Sequence, residues 1–306
     1  MLGDASGSEP ERLFLWRRGD IERPGTLPDF TILGDADGKN RCVRGIADPW
    51  LAVFTPKRPN NMAALVIPGG AYSVVMMDNE GYEVAAWLAE QGYHAFVLFY
   101  RLPGEGWADR ARVPLADAQR AMRVIRGQAE RCGFDAERVL AIGFSAGGHL
   151  CATLATCHAR PAYPAFDRLD GLPARPWLSA LVYPVITMSG PHALPVCQQL
   201  LLGDVHEEAR HAAGAHNNVG RDTPDHFIVH AEDDGLVAVE HSLLFRDALR
   251  KRSIAVSTHL FPEGGHGFGL QRMADPSLAL WPELMTRWVA AATERLAVRE
   301  REAACG

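Results

Sequence analysis

With 306 residues, 47% of them hydrophobic and 22% charged, the chain has material for a large core and the ordinary charge of a soluble protein. That balance argues against disorder and against membrane spanning. A net charge of −6 gives no basic footprint for a phosphate backbone, so no nucleic-acid partner is expected.

In chain order, Met1–Pro10 is polar, and residues 1–12 are expected to be flexible. The apolar patch Leu13–Trp16 is too short for a signal-peptide core. The apolar run Ala63–Ile67 predicts a buried strand ending in the tight turn Pro68-Gly69-Gly70. Residues Glu80–Gln91, with Val84, Trp87 and Leu88 at helical spacing and Gly92 at the end, predict a helix with a left-handed C-cap. A strand is expected over His94–Tyr100, a helix over Pro114–Cys132 closed by Gly133, and a strand over Val139–Ile142. Beyond a helix starting near Ser145, strands are expected at Leu178–Tyr183, His226–Ala231 and Ala255–Phe261. Helices are expected at Val239–Arg252 and Ser277–Arg299.

Such alternation predicts a doubly wound, mostly parallel α/β sheet with helices on both faces and a ligand site beyond the carboxyl ends of its strands. Residues 1–306 read as one domain, with two cap-like insertions at 157–177 and 186–223. Six scattered cysteines (Cys42, Cys132, Cys151, Cys157, Cys197, Cys305) contain no C-x-x-C pair, which points to a reduced, cytoplasmic protein.

Gly143-Phe144-Ser145-Ala146-Gly147 fits G-x-S-x-G between a strand and a helix, the setting of a nucleophile elbow. A hydroxyl is a poor nucleophile at neutral pH, so a neutral imidazole must take its proton and a carboxylate must orient that imidazole. Of twelve histidines, His266 lies in the glycine-rich stretch Gly264–Gly269 just past a strand and is the expected base. His149 reads as a packed residue of the elbow helix. His206, His211 and His216, five apart, scatter around a helix, so no metal site is expected there. The turn Glu232-Asp233-Asp234, just past an apolar strand, offers the carboxylate, with Asp234 taken as the acid and Asp233 as runner-up. Gly70, Ala71 and Ala146 are the expected amide donors of an oxyanion hole. Tyr72, Tyr82, Tyr100 and Trp107 read as core.

Pro68-Gly69-Gly70-Ala71-Tyr72, Glu80-Gly81, Tyr100-Arg101-Leu102, the stretch Gly143–His149, Tyr183-Pro184-Val185-Ile186 and Gly264–Gly269 together resemble the acetyl-esterase-like branch of the α/β hydrolases. That branch includes acetylxylan-esterase-like and bacterial feruloyl-esterase-like proteins, and the resemblance runs from about Leu15 to the C-terminal helix. It implies an α/β-hydrolase fold and a serine esterase for small acyl esters, acetylated sugars or oligosaccharides among them, with Ser145, Asp234 and His266 as triad and no metal or organic cofactor. Pro68 stands where the related loop usually has His, and Ala238 where proline is common. A serine peptidase on the same fold and a non-catalytic binding scaffold are the alternatives, and a homo-oligomer stays open.

Overall fold

The computed structural model describes residues 9–17, 19–35, 40–270 and 275–305. Its strands are β1 (Glu11–Phe14), β2 (Thr31–Leu33), β3 (Cys42–Arg44), β4 (Trp50–Phe54), β5 (Ala63–Ile67), β6 (Val75–Met76), β7 (His94–Phe99), β8 (Val139–Phe144), β9 (Leu178–Val182), β10 (Asp225–Ala231) and β11 (Val256–Phe261). Its helices are α1 (Glu83–Glu90), α2 (Val113–Gly127), α3 (Ala129–Cys132), α4 (Ser145–Cys157), α5 (Pro195–Leu202), α6 (Glu207–Ala213), α7 (Glu240–Lys251) and α8 (Trp281–Cys305).

Eight strands form one sheet in the order β1-β4-β7-β5-β8-β9-β10-β11. The pairs β1/β4 and β4/β7 are antiparallel, and every pair from β7 to β11 is parallel. Strands β5, β7, β8 and β9 are buried along their whole length, which is why they read as unbroken apolar runs instead of alternating ones. The chain leaves β5 towards β7 on one side and β8 towards β9 on the other, so a crevice opens beyond the carboxyl ends of β5 and β8. A second, antiparallel sheet, β2-β3-β6, flanks the loop that follows β5.

Several expected elements differ in detail. The helix expected over Glu80–Gln91 is preceded by a single π turn, Asp78–Tyr82, in which Tyr82 N donates to Met77 O at 2.8 Å. The helix expected over Pro114–Cys132 breaks at Gln128 after Gly127, a weak helix former, before the short α3 ends at Gly133 with φ 76°. The C-terminal helix begins with a 3₁₀ turn, Leu278–Leu280, ahead of fully buried Trp281.

Two expectations are corrected. Of the stretch 1–12 expected to be flexible, residues 1–8 lie outside the described residues, but Glu11 and Arg12 are hydrogen-bonded strand, paired with Val53 and Ala52. The segment 157–177 is no cap over the carboxyl ends: it runs along α2 as a strap. Arg112 donates to Pro161 O at 2.9 Å, Gln119 accepts from Ala162 N at 3.0 Å, and Arg120 pairs with Asp167 at 2.6 Å. Further along, Arg123 donates to Leu172 O and Arg126 to Arg175 O. Arginines spaced along one helix thus meet carbonyls and carboxylates of the strap instead of water. In the segment 186–223, Leu200 O accepts from Arg110 at 2.7 Å and Ala213 O lies 2.9 Å from His149 Nε2.

Where β7 runs into the next loop, Arg101 and Asp117 form a buried ion pair at 2.6 Å, and Asp117 also accepts from Trp16 Nε1 at 2.9 Å. Removing one member strands the other in low dielectric. Asp117→Ala should therefore destabilise the protein by about 3–5 kcal/mol, read as a lower urea midpoint; a midpoint unchanged from wild type would show that the pair is dispensable.

Candidate active site

The turn from β8 into α4 carries Ser145 with φ 50°, a left-handed backbone held after the extended Phe144. Its glycines are dictated by close approach. A methyl group added at Gly147 would sit 2.2 Å from Ile67 O and 2.4 Å from Pro68 O, and one at Gly148 would sit 2.7 Å from Pro184 Cβ. A methyl group at Gly69 would lie 2.8 Å from Ser145 Cβ, so the loop after β5 rests directly on the turn.

Ser145 Oγ lies 2.9 Å from His266 Nε2, and His266 Nδ1 lies 2.7 Å from Asp234 Oδ2. The carboxylate can only accept, so Nδ1 carries the imidazole proton and Nε2 is left to accept from the Ser145 hydroxyl. The three side chains expected from the sequence are thus brought into one hydrogen-bonded row. Ser145 and Asp234 are buried, and His266 is partly exposed.

Asp234 lies in the turn three residues past the end of β10 and is held on every side. Its Oδ1 accepts from the Leu236 and Val237 amides at 2.9 Å each, and its Oδ2 accepts from His230 Nε2 at 3.1 Å besides His266. Burial pushes its carboxyl pKa up, but the hydrogen bonds from His230 and His266 and the Val237 amide outweigh this and hold it well below the usual range. Asp233 plays another part: its Oδ1 accepts from Gly265 N at 2.8 Å, fixing the loop that carries His266. Trp281 Nε1 donates to Gly269 O at 2.9 Å at the far end of the same loop.

Gly70, with φ 118°, and Ala71, with φ 54°, lie at the carboxyl end of β5 beside the elbow, and Ala146 follows the serine. Their amides have no hydrogen-bond partner among the described residues, whereas Gly69 N donates to Glu80 Oε2 at 2.7 Å. His149 is a packed residue, as expected: it is buried between Tyr72 Oη, 2.8 Å from Nδ1, and Ala213 O. Tyr72, Tyr82, Tyr100 and Trp107 are buried too. His211 and His216 stack edge to face at 6.3 Å, and among the described residues no three His, Cys, Asp or Glu side chains gather to hold a metal ion. A separate hollow of about 670 Å³ at the β1–β4 edge, walled by Trp16, Phe30 and Trp50, contains none of the row, and its Arg23 and Asp48 pair with each other at 2.6 Å.

His230 escaped sequence reasoning. It is wholly buried, bonds Asp234 and Val237 O through Nε2, and meets Ser242 Oγ at 2.8 Å through Nδ1. The available signal was a histidine in an otherwise apolar strand four residues before the acid, since a buried polar side chain needs partners. Glu80, part of the quoted Glu80-Gly81 motif, is likewise buried at the site.

The strand order, with the Ser145 turn after β8 and with Asp234 and His266 after β10 and β11, is that of the α/β-hydrolase fold. The BD-FAE family pattern matches residues 51–249, and the chain belongs to that family. It is 31% identical over 249 residues to an acetylxylan esterase of Xylanibacter ruminicola, a match covering 80% of this chain and 47% of the relative. It is 34% identical over 205 residues to endo-1,4-beta-xylanase B of Butyrivibrio fibrisolvens, covering 66% of this chain and 32% of the relative. The chain therefore spans less than half the length of these two relatives. Among solved structures, an acetyl ester-xyloside bifunctional hydrolase from Caldicellulosiruptor lactoaceticus superposes with a TM-score of 0.77 at 30% identity, covering 94% of this chain and 98% of that one.

Three buried histidines set an acid limit on the fold. Burial lowers His149, His226 and His241 from an ordinary 6.5 to about 4. His241 Nδ1 accepts from the Ile186 and Thr187 amides, so its protonation would break both bonds. Because the folded pKa is depressed, the unfolded chain takes up protons first; the stabilisation is complete above pH 6.5 and is lost as pH falls towards 4. Urea midpoints measured across that window should decline steadily, and a flat profile would contradict neutral buried imidazoles.

Proposed function

We propose that this chain is a serine hydrolase of small carboxylic esters, with acetyl esters of carbohydrates as its substrate class. The observation that carries the reading is the Ser145–His266–Asp234 row, at 2.9 and 2.7 Å. In the first half-reaction Ser145 Oγ attacks the ester carbonyl while its proton passes to His266 Nε2. The imidazolium then protonates the leaving alcohol, leaving an acyl-serine. In the second, His266 takes a proton from water, hydroxide adds to the acyl carbon, and the proton returns to Ser145 as the acid departs. Asp234 holds the tautomer and the positive charge throughout.

The negative oxygen of each tetrahedral species needs donors fixed in advance. Ala146 N–H, with Gly70 and Ala71 N–H, is assigned to it; the Gly69 amide is engaged by Glu80 and takes no part. The acetylated-sugar class is supported by the names of the Xylanibacter and Caldicellulosiruptor relatives. A cytoplasmic location belongs to the same proposal, supported by the free Cys42, Cys132, Cys151, Cys157 and Cys197. No helix among the described residues is long and apolar enough to cross a membrane.

Hydrolysis of p-nitrophenyl acetate and acetate release from acetylated xylo-oligosaccharides test the assignment. Asp234→Asn should lower kcat by roughly 10³–10⁴-fold by inverting the His266 tautomer. Asp233→Asn, whose amide oxygen can still accept from Gly265, should stay near wild type. Equal losses, or the reverse order, would transfer the acid role from Asp234.

A further inference from the structure

Glu80 is a carboxylate with 4% of its surface exposed, and no Lys or Arg pairs with it among the described residues. Such a group is costly unless its oxygens are hydrogen-bonded. Its Oε2 accepts from Gly69 N at 2.7 Å, and its Oε1 accepts from Tyr183 Oη at 2.9 Å. Tyr183 Oη in turn accepts from Gly269 N at 3.3 Å, which leaves the tyrosine proton directed at Glu80. The bond directions run one way, from Gly269 through Tyr183 to Glu80 and from Gly69 to Glu80, and they satisfy an ionised carboxylate. The π turn at Asp78–Tyr82 is the local distortion on which Glu80 sits.

The two ends of this bridge lie in the two glycine-containing loops of the site. Gly69 abuts Ser145 and precedes Gly70 and Ala71. Gly269 closes the loop of His266, and the Tyr183 ring lies 4.8 Å from the His266 ring. Tyr183 itself has φ 38°, and two residues on Val185 N donates to Ser145 O at 2.9 Å, which ties the bridge to the elbow as well.

The titratable groups around His266 are Asp234 with His230 behind it, Tyr183, Glu80, and Asp233 at the loop's base. Burial raises the Glu80 carboxyl above its usual value, against the pull of the Gly69 and Tyr183 bonds and of His266. A charge so placed meets a positive partner when the imidazole is protonated during turnover.

Resting on the serine-hydrolase reading, we propose that Glu80 is a positioning residue of the reaction: with Tyr183 it locks the oxyanion loop to the histidine loop, and its negative charge favours the imidazolium form of His266. It touches neither substrate nor the reacting oxygen.

Glu80→Gln keeps the shape and removes the charge; Tyr183→Phe keeps the ring beside His266 and removes the bridging hydroxyl. With p-nitrophenyl acetate, both should lose roughly ten- to a hundredfold in kcat with little change in KM. In Glu80→Gln the acid limb of the kcat/KM profile should move to lower pH, because the imidazolium has lost a negative neighbour. A purely structural Glu80 would move thermal stability but not that limb. Near-UV circular dichroism identifies folded variants, and if Glu80→Gln does not fold, the kcat of Tyr183→Phe decides. Wild-type kcat and an unmoved acid limb would overturn the proposal. Fluorophosphonate labelling of wild-type Ser145 is scored in parallel: no labelling overturns the serine reading, whereas labelling with unaffected variants overturns only the role of Glu80.

Discussion

The approach of two backbones, the stretch Ile67–Gly70 leaving β5 and the turn at Ser145 leaving β8, constrains everything else at this site. Neighbouring parallel strands bring the two ends side by side, and only glycine at 69 and 147 lets them touch. A side chain at either position would meet carbonyl oxygens or Ser145 itself, and backbone cannot yield as a flexible side chain can. From that contact follow the left-handed serine, a hydroxyl projected off the helix, and unpaired amides on both sides of it.

Around this contact the electrostatics are arranged by hydrogen bonds instead of ion pairs. Among the described residues Asp234 has four donors and no arginine, and Glu80 has two donors and no Lys or Arg. Two buried negative groups near one imidazole oppose the developing oxyanion only weakly if the donors lie between, and they favour the imidazolium on which each half-reaction turns. The loops that carry Gly69 and His266 are held by neighbours: Tyr183, Asp233 and Trp281 fix them at separate points.

The parallel half of the sheet was legible because β5, β7, β8 and β9 are buried on both faces and interrupted by glycine and proline signals. Ser145, Asp234 and His266 were legible because each lies in a short local pattern at a strand end. The antiparallel β1 and β4 were not assigned: β1 is mostly exposed with no alternation, and the place of β4 depends on pairing with residues far along the chain. The strap 157–177 read as a cap-like insertion, but composition does not say which surface an insertion will follow. His230 and Glu80 were missed as site residues for a related reason. Glu80 and Tyr183 are separated by 103 positions, and the π turn beneath Glu80 is defined by bonds that hydrophobic spacing does not report.

The most direct measurement is rapid-quench mass spectrometry of the enzyme during p-nitrophenyl acetate turnover, with peptide mapping of any trapped acyl group beside Ser145→Ala. An acetyl group on the peptide containing Ser145, absent in the variant along with turnover, is the predicted result. Turnover that persists in Ser145→Ala, or an acyl group carried on another residue, would contradict the account.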